Sequence, residues 1–369
     1  MNKAPVELNG KTILVTGSPG FIGTHLVLRL LKEMTGGTVI SFDSMNNYYD
    51  LKLKEYRLTR IEKAAEKSPA KHVFIKGNIA DKTLLDDVFA RYRPAIVVNL
   101  AAQTGVRYSI DHPEAYIESN IIGFYNILEA CRHSYDVSGG NFDHQNGGVE
   151  HMVFASSSSV YGGNQKVPFS TEDKTDSPVS LYAATKKSNE LLAHCYSKLY
   201  NIPTTGLRFF TVYGPAGRPD MFYYSATQKL AANQEIQIFN YGNCKRDFTY
   251  IDDIVEGILR VMQGAPEKRT GEDGLPLPPY ALYNIGRGTP ENLLDFVSTL
   301  QQELVRANVL PADYDFESHY ELTAMQPGDV PITYADSTAL EKDYGFRPTV
   351  NIRKGLRKFA EWYKEYYNI

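Results

Sequence analysis

Short runs of β-branched and apolar residues alternate with longer amphipathic stretches over the first 210 residues. The apolar runs are KTILVTG, TVISFD, HVFIKGN, AIVVNLAA and HMVFASS. Helical spacing follows the first run and recurs at about residues 51–67, 82–91 and 114–133. Continuous apolar strands that alternate with helices are typical of a parallel sheet covered on both faces. We therefore predict an α/β fold with a doubly wound parallel sheet, whose ligands lie beyond the carboxyl ends of the strands.

The pattern changes near residue 210. The helical stretch LYAATKKSNELLAHCYSKLYN and the strand-like TTGLRFF complete the first part, and turn-rich pieces such as YGPAGRPDM and NYGNCKRD surround shorter elements after it. IDDIVEGILRVM has helical spacing and is expected to pack back onto the first part. We predict a domain of residues 1–210, joined by about residues 247–263, and a smaller C-terminal α/β lobe of residues 211–369 with a discontinuous boundary.

Composition excludes several classes of protein. The chain has 369 residues, 43% hydrophobic and 22% charged, which is ordinary for a globular protein long enough for two lobes. A net charge of -4 argues against nucleic acid or a membrane surface as a partner. The three cysteines share no metal-site spacing, so we predict no metal site and a reducing compartment. Because the first residues lack the apolar run of a signal peptide, the expected location is the cytoplasm.

The sequence TGSPGFIG, directly after the first predicted strand, forms a phosphate-binding motif. Its glycines follow the spacing GxxGxxG, which permits a tight turn, a close approach of the backbone and a helix N-terminus that faces a pyrophosphate. The second strand ends at Asp43, where a carboxylate can bind an adenosine ribose and would repel a 2′-phosphate. We therefore predict a Rossmann-type domain that binds NAD rather than NADP, through Gly17, Gly20, Phe21, Ile22, Gly23 and Asp43.

A second motif combines a row of hydroxyl groups with a tyrosine and a lysine. ASSSSVYGG follows the apolar run HMVF, so its serines are expected at the carboxyl end of a strand. YAATK places Tyr182 and Lys186 four residues apart, on one face of a helix. A lysine cation and the positive nicotinamide of NAD⁺ favour the phenolate, and Ser157 can share the proton path to a substrate oxygen. Ser157, Tyr182 and Lys186 thus predict an alcohol dehydrogenation site, although a Tyr–Lys pair at this spacing also occurs on surface helices.

These motifs resemble those of the extended short-chain dehydrogenase/reductases, especially the nucleotide-sugar epimerases. The resemblance covers nearly the whole chain and rests on TGSPGFIG, NLAAQTGVRYS, SSSSVYG, YAATKKSNE, LRFFTVYGPAGRPDM, RDFTYIDDIVEGI and QPGDV. Within that group the chain is most similar to the UDP-glucuronate 4-epimerases. This implies an NAD-binding domain, a UDP-sugar-binding lobe and a tightly held NAD⁺ that is recycled in each turnover. The implied cofactor contacts also include Asn78, Ile79, Ala101, Ala102, Tyr182 and Lys186.

The resemblance also implies a reaction. Tyr182 would take the proton of the C4 hydroxyl while hydride passes to NAD⁺. The 4-keto sugar would then turn about its pyrophosphate, hydride would return to the other face, and UDP-galacturonate would be released.

The residues after Ser157 distinguish the subgroups of this family. The 4,6-dehydratases carry an Asp–Glu pair there and the UDP-glucuronate decarboxylases typically a Glu, whereas this chain has Ser158 and Ser159. Neutral hydroxyls do not support elimination and can donate hydrogen bonds to a substrate carboxylate. We expect that carboxylate to be held by Ser157, Ser158, Ser159, Thr211 and Arg218. The alternatives for the last two are an ordinary strand-end threonine and a solvated loop arginine.

The resemblance places the UDP end of the substrate in the second lobe. Ile238 and Phe239 would run along the uracil. Arg246 would bind a phosphate and Asp329 a ribose hydroxyl, while an ion pair of Arg246 with a neighbour such as Asp247 is the alternative.

Four features depart from the family pattern. Asn78 stands where Asp is usual at the adenine edge, and Gln326 stands where neutral-sugar epimerases often have Arg. Arg287 replaces a small polar residue and receives no role, and the polar run at residues 134–149 is expected to be an exposed insertion.

Three other functions remain open at this stage. Two are an epimerase for neutral UDP-hexoses and a UDP-glucuronate decarboxylase. The third is a non-enzymatic NAD-sensing protein, against which the complete set of Ser157, Tyr182 and Lys186 argues. Family members are commonly dimers, so we expect a homodimer formed through the helices near residues 114–133 and 181–201, although burial in the core would explain their apolar faces equally well.

Overall fold

The computed structural model of the protein describes residues 3–135, 148–325 and 330–369. Within these residues the strands are β1 Lys3–Pro5, β2 Thr12–Thr16, β3 Thr38–Asp43, β4 Lys71–Lys76, β5 Ile96–Asn99, β6 His151–Ser157, β7 Thr204–Phe209, β8 Thr211–Tyr213, β9 Ile236–Ile238, β10 Lys245–Arg246, β11 Phe248–Tyr250, β12 Gly264–Pro266, β13 Arg269–Thr270, β14 Pro276–Leu277, β15 Tyr280–Ile285, β16 Glu291–Asn292 and β17 Tyr320–Leu322.

The helices of the same residues are α1 Phe21–Glu33, α2 Leu51–Ala65, α3 Lys82–Tyr92, α4 Tyr108–Asp111, α5 Pro113–Tyr116, α6 Phe124–His133, α7 Leu181–Tyr200, α8 Phe222–Ala231, α9 Ile251–Met262, α10 Leu293–Arg306, α11 Thr338–Tyr344 and α12 Ile352–Tyr367. None of them is both long enough and apolar enough to span a membrane.

A seven-stranded parallel sheet forms the centre of the molecule. Its strand order is β15-β7-β6-β5-β2-β3-β4, and every neighbouring pair is parallel. The chain moves outward from β2 to β3 and β4 and then crosses back to β5, so the order reverses between β2 and β5. Such a reversal opens a crevice beyond the carboxyl ends of the strands. The predicted α/β, doubly wound Rossmann-type sheet is confirmed.

Both faces of this sheet are covered, as its continuous apolar strands predict. Ile13 and Val15 of β2 belong to a core cluster that includes apolar residues of α1 and α9. Leu14, between them, belongs to a second cluster, with residues of α3 and α6. Because side chains alternate between the faces of a strand, consecutive apolar residues supply two cores at once.

The predicted helix near residues 114–133 contains a turn of different hydrogen-bond spacing. Between α5 and α6 the backbone makes a π-helical turn at Ile117–Gly123. Sequence periodicity cannot reveal such a turn, because it changes the hydrogen-bond spacing by one residue and leaves the helix continuous.

The segments after β7 build several two-stranded sheets and also return to the central one. β8 pairs with β11, β9 with β17 and β10 with β16. α9 packs against α1, as expected. β15, however, adds a seventh strand to the central sheet by pairing with β7, although the predicted boundary assigned residues 280–285 to the C-terminal lobe. A short apolar run among turns does not reveal which strand it will pair with.

Candidate active site

The glycine motif lies between β2 and α1, at the reversal of strand order. Gly17 has a φ of 71°, and a Cβ on it would lie 2.8 Å from the backbone nitrogen of Ala101, so this position requires glycine. Gly20 is the N-cap of α1 and carries no side chain over the first N–H groups. These groups and the positive end of the helix form a site for a pyrophosphate. A cavity of about 510 Å³ is lined by all the predicted glycine-motif contacts, Gly17, Gly20, Phe21, Ile22 and Gly23.

Asp43, at the end of β3, is buried and lines the same cavity. Its Oδ1 accepts a hydrogen bond from the N–H of Met45 at 2.6 Å and lies 3.8 Å from the ammonium of Lys54. Lys54 also donates to Oδ1 of Asn46 at 2.8 Å, and burial lowers the pKa of its ammonium. Sequence analysis missed Lys54, since one more lysine on a polar helix carries no signal. Its cation offsets the charge of the buried Asp43.

Four further predicted cofactor contacts belong to the same cavity. Asn78, Ile79, Ala101 and Ala102 all line it. The carboxamide of Asn78 is used twice within the protein, because Nδ2 donates to Glu118 at 2.8 Å and Oδ1 accepts from the N–H of Ala80 at 3.0 Å. The adenine contact of Asn78 stays a prediction, and Glu118 competes for its amide.

The serines at the carboxyl end of β6 and directly after it have different hydrogen-bond partners. The Ser156 hydroxyl is buried and donates to the carboxylate of Glu190 at 2.7 Å. Ser157 ends β6, and its hydroxyl accepts a hydrogen bond from the N–H of Ser159 at 3.1 Å, which starts a short helical turn. Ser157, Ser158 and Ser159 line the cavity, where the prediction requires them.

Helix α7 carries Tyr182 and Lys186, which line the cavity together with Ser157. Ser180 caps this helix by accepting a hydrogen bond from an N–H three residues on, at 3.1 Å, and so determines where the first turn begins. Lys186, one turn after Tyr182, donates to the backbone carbonyl of Ala155 in β6 at 2.9 Å. The structure therefore brings the three predicted catalytic residues together at the end of one strand.

Burial governs the protonation of the tyrosine and the lysine. It raises the pKa of Tyr182, while the hydrogen bond with Ser157 and the charge of Arg218 act to lower it and Asp220 acts to raise it. Burial lowers the pKa of Lys186 to about 8. In the protein alone Tyr182 is therefore a neutral phenol at neutral pH. A nearby positive charge must stabilise the phenolate before Tyr182 can act as a base.

The π-helical turn supports α7. Asn120, in this turn, is buried, and its Oδ1 accepts a hydrogen bond from the N–H of Gln103 at 2.8 Å. Its Nδ2 donates to the Gln103 carbonyl and to the Thr185 hydroxyl, both at 3.0 Å. Asn189 donates to the Asn120 carbonyl. This network, which sequence analysis missed, joins the loop after β5 to the helix that carries Tyr182.

A second cavity, of about 670 Å³, adjoins the first. Thr211, Arg218 and Arg246 line both cavities and therefore lie at their junction. Arg218 is no freely solvated arginine, because its Nε donates to Oδ1 of Asp220 at 3.0 Å and its Nη2 donates to Oδ2. Sequence analysis missed Asp220, although it lies in the same GRPDM motif.

Arg246 does not form the ion pair with Asp247 that was its alternative. Its Nη1 donates to the backbone carbonyl of Pro331 at 3.2 Å. The buried carboxylate of Asp247 instead accepts hydrogen bonds from the backbone N–H groups of Arg287, Gly288 and Ala335 at 2.8–3.0 Å, so it joins the turn after β15 to the segment around Ala335.

The predicted uracil contacts differ in their surroundings. Phe239 lines the second cavity, and its ring centroid lies 4.9 Å from the guanidinium carbon of Arg107. Ile238 is 1% exposed, packs in the core and lines neither cavity, so only its backbone could meet a base. Asp329 and Gln326 lie outside the described residues, as does most of the predicted insertion.

Comparison with known proteins assigns the family. The profile of the NAD dependent epimerase/dehydratase family matches residues 13–286. The chain belongs to this family.

Its relatives include UDP-glucuronate 4-epimerase 4 of Arabidopsis thaliana, 42% identical over 367 residues, which covers 98% of this chain and 77% of that protein. A probable UDP-glucuronate 4-epimerase of Rhizobium meliloti is 39% identical over 363 residues, with 96% and 97% covered. The crystal structure of UDP-glucuronic acid 4-epimerase from Bacillus cereus, in complex with UDP-glucuronic acid and NAD, superposes with a TM-score of 0.78 at 30% identity and covers 96% of this chain and 100% of that one. The predicted membership of the nucleotide-sugar epimerases is confirmed.

Behind the serine row, this epimerase/dehydratase family member contains a buried ion pair. Arg208 of β7 donates from Nε and Nη2 to the two carboxylate oxygens of Glu190 at 2.7 and 2.8 Å. Their side chains are 1% and 2% exposed. The guanidinium also lies over the ring of Tyr161, 4.8 Å from its centroid. Because Glu190 also accepts a hydrogen bond from Ser156, this pair connects α7, which carries Tyr182 and Lys186, to β6 and β7.

Proposed function

We propose that this protein is an NAD-dependent epimerase that inverts C4 of UDP-glucuronate to give UDP-galacturonate. The observation that carries the proposal is the lining of one cavity, which combines Ser157, Tyr182 and Lys186 with Thr211 and Arg218. The first three residues suit the oxidation of an alcohol, and the last two suit a carboxylate on the same sugar. Relatives named UDP-glucuronate 4-epimerase support the same substrate.

NAD fits the first part of this cavity. The turn at Gly17 leaves no room for a side chain, the amino end of α1 is uncovered at Gly20, and Asp43 supplies a ribose acceptor. When bound, NAD⁺ supplies the acceptor of the C4 hydride and later its donor. The chain would hold it through Gly17, Gly20, Phe21, Ile22, Gly23, Asp43, Asn78, Ile79, Ala101, Ala102, Tyr182 and Lys186.

Tyr182 moves the proton. As the phenolate it accepts the proton of the C4 hydroxyl, directly or through Ser157, and it returns this proton when the carbonyl is reduced again. Because burial raises the pKa of Tyr182, the phenolate requires nearby positive charge. Arg218 acts in this direction, and we assign the same role to the ammonium of Lys186 one helical turn away.

A neutral row of donors would hold the sugar carboxylate without removing it. The 4-keto form of glucuronate is a β-keto acid, which loses CO₂ when its C–CO₂ bond lines up with the carbonyl π system. Hydrogen bonds from Ser158, Ser159 and Thr211, with the cation of Arg218, can hold the carboxylate out of that alignment. The row contains no carboxylate at residues 158 and 159 that would repel the substrate.

We assign the second cavity to the UDP portion, which anchors the substrate while the keto sugar turns over. Phe239 and Arg107 offer a stacked aromatic and cationic surface for a base, and Arg246 offers a cation at the junction for the pyrophosphate. We keep Asp329 as the predicted ribose contact. In this arrangement residues 1–210 with 247–263 and 280–285 bind NAD, and the remaining C-terminal segments bind the UDP-sugar.

The test is to incubate the purified protein separately with UDP-glucuronate and UDP-glucose and to identify the products by NMR. UDP-galacturonate from UDP-glucuronate is expected. UDP-pentose with CO₂ as the main product would instead identify a decarboxylase. Conversion of UDP-glucose alone would identify a neutral-sugar epimerase, and binding of NAD without turnover of either sugar would identify an NAD-sensing protein.

We also propose a cytoplasmic homodimer. Large apolar side chains are exposed on neighbouring helices, with Leu191 60% and Leu199 58% exposed on α7 and Tyr125 43% exposed on α6. α6 packs against α7, so two copies could bury these residues in a four-helix packing. The double variant Leu191→Glu/Leu199→Glu should elute as a monomer in size-exclusion chromatography with light scattering. A wild-type protein that is itself monomeric at micromolar concentration would contradict the dimer.

A further inference from the structure

The pairing of Arg218 with Asp220 leaves part of the guanidinium available. The two hydrogen bonds between these side chains use the side of the fork formed by Nε and Nη2. A guanidinium has five N–H donors, so both hydrogens of Nη1 and one of Nη2 have no partner in this pair. These donors lie at the end of the fork, the edge that binds a second carboxylate in a bidentate manner. Arg218 can therefore hold Asp220 and a substrate carboxylate at the same time.

A third side chain fixes the carboxylate of Asp220. The Tyr48 hydroxyl donates to Oδ2 of Asp220 at 3.2 Å. Tyr48 belongs to the connection between β3 and α2, whereas Asp220 precedes α8. The Tyr48 ring is half-buried and packs edge-on against Tyr108, with 4.8 Å between the centroids. The hydrogen bond therefore joins two segments that are far apart in the chain, from a ring that another ring supports.

The three side chains surround the junction of the two cavities. Tyr48 and Arg218 line both cavities, and Asp220 lines the second. Gly105, with a φ of 100°, also lines both cavities, and a Cβ on it would lie 2.6 Å from the Tyr48 hydroxyl. A side chain at residue 105 would displace that hydroxyl, so the local backbone is matched to this contact.

We propose that Asp220 and Tyr48 are positioning residues that orient the fork of Arg218 toward the sugar carboxylate and so set the preference for a uronate over a neutral hexose. The inference rests on the proposed function. A long arginine side chain loses considerable rotamer entropy when it is held in one geometry. In this protein the Arg218 side chain has lost that entropy before the substrate binds, because Asp220 already accepts hydrogen bonds from Nε and Nη2.

A different role for Asp220 makes the opposite prediction. If its charge only weakened the attraction between Arg218 and a substrate anion, its removal would tighten the binding of UDP-glucuronate. If it oriented the guanidinium, its removal would weaken that binding and leave a neutral sugar unaffected. Tyr48→Phe separates the two further, because it removes one hydrogen bond and changes no charge.

The experiment compares the NAD-loaded wild type with Asp220→Asn and Tyr48→Phe. Dissociation constants for UDP-glucuronate and UDP-glucose are measured by isothermal titration calorimetry, together with KM and kcat for epimerisation. Asp86→Asn, on the exposed face of α3, is the matched control. Thermal unfolding checks that each variant is folded.

We expect Kd and KM for UDP-glucuronate to rise by about tenfold in Asp220→Asn and by about threefold in Tyr48→Phe, which correspond to the loss of a charged and of an ordinary hydrogen bond. Kd for UDP-glucose should change by less than about twofold. Equal weakening for both sugars, unchanged affinity, or tighter binding of UDP-glucuronate would overturn the inference. Because binding is measured apart from turnover, a wild type that binds UDP-glucuronate but does not epimerise it contradicts the proposed function alone.

Discussion

The ammonium of Lys186 donates a hydrogen bond to the backbone carbonyl of Ala155, 2.9 Å away, and so joins the catalytic helix to the strand that carries Ser157. In this buried position the pKa of Lys186 is lowered to about 8. In the proposed mechanism its positive charge favours the phenolate of Tyr182, and that charge is present below the pKa and lost above it. We therefore expect kcat to decline as the pH rises through about 8.

The Lys186→Arg variant tests this assignment, because arginine remains protonated over the whole accessible range. Its alkaline decline should move to higher pH even if the larger side chain lowers the maximal rate. Lys187→Arg, the adjacent lysine of α7, is the control and should leave the pH profile of kcat unchanged. An alkaline limb at the same pH in wild type and Lys186→Arg would assign it to another group.

Tyr182→Phe is expected to lower kcat by at least about a hundredfold, the usual size of a general acid–base contribution, while NAD remains bound. Tyr116→Phe is the matched control. The Tyr116 ring packs edge-on against Tyr182, with 6.1 Å between centroids, but its hydroxyl donates to the carbonyl of Thr104 at 2.7 Å. The rate of product formation and the cofactor content of the purified variants are the measurements. Similar losses in both variants would indicate a packing effect and not proton transfer.

Local patterns in the sequence anticipated the parts of the structure that depend on neighbours in the chain. The turn at Gly17 and the pair Tyr182 and Lys186 are defined by spacing within one loop or one helix. The hydrogen bond between Tyr48 and Asp220 joins residues that are 172 positions apart. The sequence around either residue does not indicate that the two side chains meet.

The alternation of side chains along the strand IQI bears on the predicted uracil contact. Ile236 and Ile238 lie on the same face of this strand, and both are buried. The contact of Ile238 with the uracil therefore stays a prediction for its backbone. By contrast, neither the return of β15 to the central sheet nor the π-helical turn around Asn120 has a sequence signal, because both depend on which distant segment supplies the hydrogen bonds.

Thr211→Asn should weaken the binding of UDP-glucuronate by several-fold more than that of UDP-glucose. Thr211 lines the junction of the two cavities beside Arg218, and the larger amide would occupy space proposed for the carboxylate. Dissociation constants for both sugars with NAD-loaded protein give the comparison. Thr83→Asn, on the exposed surface of α3, is the control for replacing a threonine by an asparagine away from the cavities. Equal weakening for both sugars would remove Thr211 from the carboxylate site.

The buried pair of Arg208 and Glu190 predicts a stability effect. Arg208→Met removes both guanidinium hydrogen bonds from the buried carboxylate of Glu190, which keeps only the Ser156 hydroxyl and the Lys187 ammonium 3.6 Å away, and should lower the free energy of unfolding by about 3 kcal/mol. The double variant Arg208→Met/Glu190→Met removes both charges and should recover most of that loss. Urea denaturation measures both.

The exposed pair of Lys82 and Asp86 is the control for this prediction, since Lys82→Met should cost less than about 1 kcal/mol. A double variant as unstable as Arg208→Met would show that the loss comes from packing and not from the unpaired charge.

The seventh strand of the central sheet, β15, lies more than 70 residues after β7 in the chain, and this separation has a consequence for synthesis on the ribosome. Until Ile285 has been translated, the sheet can contain six of its seven strands, and the outer edge of β7 has no partner. At about 5–20 residues per second, the residues between β7 and the end of β15 take roughly 4 to 15 s to make. During that interval the nascent chain presents an open apolar strand edge, the kind of surface that pairs with other chains. Chaperone occupancy during translation is therefore expected to peak between the emergence of Phe209 and that of Ile285.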